Sequence, residues 1–268
     1  MWALALVIFA ASKWMTFRDA VKRGVRVETS RAAGYLLAWP GMDAAAFLAP
    51  PDRRSLTALA DSVAAVLTIV LGAILIWGLA PAAMPAHPLV AGWIAMIGIV
   101  LMLHFGAFAL LSAGWRHAGV NAIPVMRQPL RSTALAEFWG RRWNTAFHAL
   151  AARFAFGPLR SRIGTTAATF AVFLLSGAIH ELVITVPAGG GFGLPTLYFL
   201  MQALGVTAER STRGRRIGLG KGTRGRCFTL FVTAAPAFWL FPPVFVRGVI
   251  LPMLAAIGAI PRLPCDLC

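Results

Sequence analysis

Acidic residues are scarce in this chain. There are 9 Asp plus Glu against 25 Lys plus Arg in 268 residues, and only 13% of positions carry any charge. That leaves too little charge to solvate the surface of a soluble domain of this size, and 59% hydrophobic residues with a mean hydropathy of +0.74 point to lipid instead. Cysteine is scarce too: Cys227, Cys265 and Cys268 cannot build the disulfide framework of a small secreted fold. Lysine is nearly missing, with Lys13, Lys22 and Lys221 alone, so the net charge of +16 is almost wholly arginine. In a soluble protein that balance would suggest nucleic acid. In so apolar a chain no nucleic-acid partner is expected, and the charges are better read against the apolar runs.

Uncharged stretches long enough to cross a bilayer occur at 63–80, 88–113, 163–186 (interrupted by His180 and Glu181), 192–208 and 227–246. Two weaker runs flank them: 1–17, which would span if Lys13 snorkels, and 248–260, short enough to be re-entrant. The N-terminus has no basic region ahead of its apolar run and so suggests a retained anchor. The cations alternate between loops: eight between residues 13 and 54, none at 81–88, eight at 116–162, none at 187–195, seven at 210–226, then Arg247 and Arg262. Under the positive-inside rule the three basic loops are cytoplasmic. The aromatic-rich segments 34–48 and 116–162 suit interfacial or re-entrant helices. With no repeat or linker, residues 1–268 form a single membrane-embedded domain, an all-α bundle of five to seven spanning helices plus interfacial ones.

Only His104, His180 and Glu181 are ionisable within the principal spans. Such groups at membrane depth are costly unless paired or facing a wet cavity, so each is a functional candidate. Ser176 and Thr169 share the helix face of His180, whereas Glu181 points about 100° away and is not expected to orient it. The structural alternative is a histidine that ties two helices together. A second constellation lies in LAEFWGRRWNTAFH, residues 135–148. As a continuous helix it would align Glu137, Arg141, Asn144 and His148 on one face, with Trp139 and Trp143 as an adjacent ridge in the interface. Asn144 would then offer amide hydrogens to a developing oxyanion. The alternative is a helix whose charges meet lipid headgroups only.

FWGRRWN at 138–144, followed by SGAIHEL at 176–182 and preceded by WPGMD at 39–43, resembles the wax synthase branch of the membrane-bound O-acyltransferase superfamily over residues 34–245. The resemblance implies that His180 is the catalytic histidine and Asn144 the second catalytic position. It places Trp139, Arg141, Arg142, Trp143, Ser176 and Glu181 at the substrates. It further implies an enzyme that transfers a fatty acyl group from acyl-coenzyme A to the hydroxyl of a lipophilic alcohol, with acyl-coenzyme A as donor substrate and no resident cofactor. A sterol or hydroxylated secondary metabolite is the alternative acceptor. A transporter or scaffold using His180 and Glu181 is the non-enzyme alternative. HxxxxD, HHxxxDG and GxSxG strings, which mark other acyltransferases and hydrolases, are absent. GKGTRG at 220–225 matches GxGxxG without a preceding strand, and CDLC at 265–268 lacks a second ligand pair, so neither a dinucleotide nor a metal site is expected. His87 and His117 lie at span ends.

Overall fold

A computed structural model describes residues 2–50 and 59–261. Cys265, Cys268 and Arg262 lie outside the described residues, as do Arg53 and Arg54. The protein is 79% helical, with no strand among the described residues, as the unbroken apolar runs require: in hydrocarbon every backbone N–H and C=O must be satisfied within its own segment. In chain order the principal helices are α1 (Trp2–Lys22), α2 (Thr29–Ala38), α3 (Ala44–Leu48), α4 (Asp61–Ala83) and α5 (Pro88–His117). They continue with α6 (Leu135–Glu137), α7 (Thr145–Ala188), α8 (Leu194–Arg210), α9 (Thr212–Arg216), α10 (Gly222–Leu240) and α11 (Pro243–Ala256).

Helices α4, α5 and α7 are long and apolar enough to cross a membrane, and α10 with α11 makes a fourth span if the bent pair counts as one. Among the described residues these make three or four spans, against the five to seven expected. Helix α8 has only 17 residues and buries Gln202 and Glu209 on its inner side. The runs 227–246 and 248–260 merge into one bent unit because Pro236, Pro242 and Pro243 break the ladder, and the two halves meet at 59°. Helix α1 lies alongside α7, touching residues 181–185, with its Asp19 paired with Arg153. Lys13 does not snorkel. It is 2% exposed, its ammonium donates to the Gly41 carbonyl at 2.8 Å, and it sits 3.2 Å above the centre of the Tyr35 ring.

Small residues set the helix spacing, as membrane packing demands when lipid gives no hydrophobic drive between helices. A methyl placed on Gly98 of α5 would lie 2.7 Å from the Gly72 carbonyl of α4, and one on Gly177 of α7 would lie 2.8 Å from the Thr196 Cα of α8. One core joins α4, α5, α7 and α11 through Ile76, Ala95, Ile184, Val246 and Leu254. A second, formed by Tyr35, Trp39, Phe47 and Trp115, holds the segment 34–48 together as α2 and α3. Helix α7 bends at Gly164, whose φ of +79° only glycine adopts at little cost. The bend separates an arginine-bearing first half from the apolar half that carries His180.

Candidate functional site

Segment 135–148 is not the continuous helix that its spacing suggests. Residues 138–142 wind as a π-helix, and at Asn144 the chain turns left-handed with φ +45° before α7 begins. Asn144 becomes the N-cap of α7, its side-chain oxygen accepting the Phe147 amide at 3.1 Å. Glu137, Arg141, Asn144 and His148 therefore do not share one face. The tryptophans pack against neighbouring aromatic rings. Trp139 packs edge-on against Phe138 and Phe173 and tilts against Phe199, while Trp143 stacks on Phe138 with ring centres 5.5 Å apart. Aromatic burial took precedence over amphipathic spacing.

The two arginines of the motif divide. Arg142 donates from Nε to Glu137 at 2.7 Å, and from its terminal nitrogen to the carbonyls of Arg127 and Gln128. Its guanidinium thus closes the loop before α6. Burial raises the Glu137 carboxyl, but the Thr133 amide and the Arg142 guanidinium outweigh it and hold the group below the usual glutamate range. Arg141 is exposed and makes no ion pair among the described residues.

His180 ends the regular part of α7, immediately before the π-helical turn Glu181–Thr185. Such wide turns recur at functional sites. Its Nδ1 lies 2.7 Å from the Ser176 carbonyl, four residues back, as placement on one face foresees. Its ring lies 4.6 Å from the Phe199 ring centre to centre, and Phe199 in turn meets Trp139. The SGAIHEL and FWGRRWN segments are therefore joined through Phe199 of α8. The Ser176 hydroxyl donates to the Val172 carbonyl at 3.0 Å, so its contribution to the histidine is main-chain. No hydrogen bond joins His180 to Asn144 among the described residues.

Glu181 does turn away from His180. It accepts the Gly193 and Thr196 amides and the Thr196 hydroxyl at 2.9–3.1 Å, and also the Thr185 hydroxyl, capping the start of α8. The opposite end of α8 mirrors this. Glu209, 4% exposed, accepts the amides of Leu135 and Ala136 at 2.6 and 2.8 Å, which caps α6. Midway, the Trp139 indole donates to Gln202 at 3.2 Å, and the fully buried Gln202 donates onward to the Val232 carbonyl. Glu209, Gln202 and Phe199 were missed from sequence. The available signal was a carboxylate and an amide on an otherwise apolar 17-residue segment, seven positions apart on one helix face.

WPGMD has a local explanation. The Gly41 carbonyl receives Lys13, Asp43 caps α3 through the Ala46 amide at 3.0 Å, and Trp39 stacks on Phe47. Met42 reaches a small core with Val125 and Ala146, placing this loop beside the start of α7. His104 lies on a π-helical stretch of α5, against Phe108, with its Nδ1 buried and unpartnered. His87 and His117 are exposed at helix ends. An open groove of about 630 Å³ is lined by Glu181, Phe192, Gly193, Thr196, Leu197 and Leu200. No group of three or more metal-binding side chains occurs among the described residues.

Comparison with known proteins follows the same residues. Positions 122–201 match the sequence model of the membrane bound O-acyl transferase family. The chain is 31% identical over 149 residues to a protein of Arabidopsis thaliana named probable long-chain-alcohol O-fatty-acyltransferase 3, covering 49% of this chain and 42% of that one. It is 26% identical over 142 residues to the long-chain-alcohol O-fatty-acyltransferase of Simmondsia chinensis, covering 48% and 40%. It is 30% identical over 160 residues to acyl-CoA–sterol O-acyltransferase 1 of Arabidopsis thaliana, covering 51% and 44%. The chain thus spans less than half the length of these curated relatives. The stretch that holds Asn144, His180 and Phe199 is the one that matches the membrane bound O-acyl transferase family, to which this integral membrane chain is similar over that part of its length.

Proposed function

We propose that the protein transfers an acyl group from acyl-coenzyme A to the hydroxyl of a long-chain alcohol, with His180 as general base. The observation that carries this reading is the 2.7 Å contact between His180 Nδ1 and the Ser176 carbonyl. A carbonyl only accepts, so Nδ1 holds the hydrogen and Nε2 keeps its lone pair. The alcohol oxygen attacks the thioester carbonyl carbon as Nε2 takes its proton. The C–S bond then breaks, and the coenzyme A thiolate receives that proton from the imidazolium. The Ser176 carbonyl steadies the transient cation. No covalent acyl-enzyme is needed.

Asn144 spends its side-chain oxygen on the α7 cap, which leaves its two amide hydrogens for the thioester oxygen. Arg141, whose guanidinium is exposed, meets a phosphate of the donor. Trp139, Trp143, Arg142, Ser176 and Glu181 act by holding these groups in place. The three basic loops face the cytoplasm, where the anionic donor resides. The test is ester formation by purified protein given labelled acyl-coenzyme A and a panel of fatty alcohols. His180→Ala, folded in detergent, should lose the activity; full retention overturns the assignment. Single cysteines at Ala83 and Gly190 should label only from the non-cytoplasmic side.

A second acceptor class is favoured by the similarity to a protein named acyl-CoA–sterol O-acyltransferase 1. Sterols included in the same panel decide between them, since a sterol ester in place of a wax ester reassigns the acceptor and leaves the base unchanged.

A further inference from the structure

The loop between α8 and α10 carries Arg210, Arg213, Arg215, Arg216, Lys221, Arg224 and Arg226, and every one of these side chains is exposed. Arg127 and Arg131, also exposed, belong to the loop ahead of α6. The two loops are one surface: Gly225 sits so tightly on the Thr133 carbonyl that no side chain fits there. None of the nine cations makes an ion pair among the described residues. The carboxylates of the adjoining helices are already committed, Glu209 to the Leu135 and Ala136 amides and Glu137 to Arg142 and Thr133. Two large apolar side chains stand among the charges, Leu130 at 70% and Ile217 at 59% exposure.

Topology explains the sign of this charge. It does not explain nine cations with no acid between them, nor aliphatic side chains pointing outward beside them. We propose that this surface binds the anionic headgroups of the adjoining leaflet, its arginines on lipid phosphates and Leu130 and Ile217 inserted at the acyl boundary. Anionic lipid is favoured over the phosphates of a soluble ligand because the cations are all exposed and spread over two loops, and because aliphatic anchors have no use for a soluble anion.

Headgroup binding fixes the depth of the site. Phe199 is 11 residues before Arg210 on α8, about 16 Å along the axis at 1.5 Å per residue. With Arg210 held at the headgroups, Phe199 and the His180 ring against it come near the middle of a hydrocarbon core of about 30 Å. The surface is thus a depth gauge for the histidine.

The inference does not depend on acyl transfer, and lipid counting tests it directly. Wild-type protein in detergent is offered equal phosphatidylglycerol and phosphatidylcholine, and bound lipids are counted by native mass spectrometry. Wild type should retain phosphatidylglycerol several-fold over phosphatidylcholine. The triple variant R213Q/R215Q/R216Q should bring the ratio to about one, and R213K/R215K/R216K should restore it, which separates charge from folding. Equal retention by wild type, or an undiminished preference in the glutamine variant, overturns the proposal. Displacement of phosphatidylglycerol by equimolar coenzyme A overturns it too, because the surface would then belong to the donor.

Discussion

Glu209 accepts the main-chain amide of Leu135 at 2.6 Å across 74 positions of sequence. With the Ala136 amide on its other oxygen, it fixes where the FWGRRWN segment begins, just as Glu181 fixes where α8 begins. Helix α8 therefore acts as a strut between the two halves of the site. Glu209→Ala strands two amides, one beside the buried Leu135, at about 1–3 kcal/mol each. Thermal unfolding in detergent should fall accordingly and ester formation with it, and Glu209→Asp should recover part of both.

The Trp139–Gln202 hydrogen bond is the middle tie of the strut. Trp139→Phe keeps an aromatic ring but leaves the Gln202 oxygen without its donor, a loss of about 1–3 kcal/mol. Gln202→Leu removes the partner and also orphans the Val232 carbonyl. A double-mutant cycle on stability should show coupling above about 0.5 kcal/mol between the two positions, while additivity within about 0.3 kcal/mol would deny the tie.

Ser176 and His180 should separate cleanly under mutation. The histidine is oriented by the Ser176 carbonyl and not by the hydroxyl, which is spent on Val172. Ser176→Ala should keep activity within about threefold, whereas His180→Ala should lose at least about a hundredfold, in line with the usual contribution of a general base. Rates with acyl-coenzyme A and a fatty alcohol check both.

Gly98 has no room for a side chain. Gly98→Val would drive methyls into the Gly72 carbonyl and the Ile76 side chain, splaying α4 from α5. The cost is about 1–3 kcal/mol, read as a lower unfolding midpoint in detergent.

Glu137 predicts the acid limit of its loop. A carboxyl held below its unfolded value of about 4.3 contributes stability in full above that pH and loses it as the pH falls through the lower folded value. Glu137→Gln should therefore flatten the acid side of the stability profile below about pH 4 and lower stability at neutral pH, where the Arg142 pair is intact.

What was legible in the sequence follows from where single physical rules act alone. The apolar runs 63–80 and 88–113 marked two spanning helices to within a few residues, whereas the run 163–186 is only the second part of a helix that starts at Thr145. His180 stood out because an ionisable group in such a run is rare, and its i–4 relation to Ser176 needed only helix geometry. The polar face imagined for 135–148 failed because Trp139 and Trp143 gain more from packing on Phe138, Phe173 and Phe199 than the backbone loses by breaking at Asn144. Lys13 was misjudged for a related reason: its ammonium turns inward to an aromatic ring and a loop carbonyl, and neither partner is near it in sequence. Glu209 and Gln202 act across 74 and 63 positions, a range over which local spacing carries no information.

The left-handed turn at Asn144 carries a further consequence. Few residues other than glycine hold φ +45° at low cost, asparagine and aspartate being the main exceptions. The choice of residue there is thus constrained twice, once by the backbone and once by whatever the amide hydrogens touch. Alanine at 144 would remove conformation, cap and donor together. Aspartate keeps the turn and an oxygen to receive Phe147, but exchanges the amide NH2 for a carboxylate oxygen, which removes both donors and brings a negative charge, so the donor role of the position is separable from its architecture.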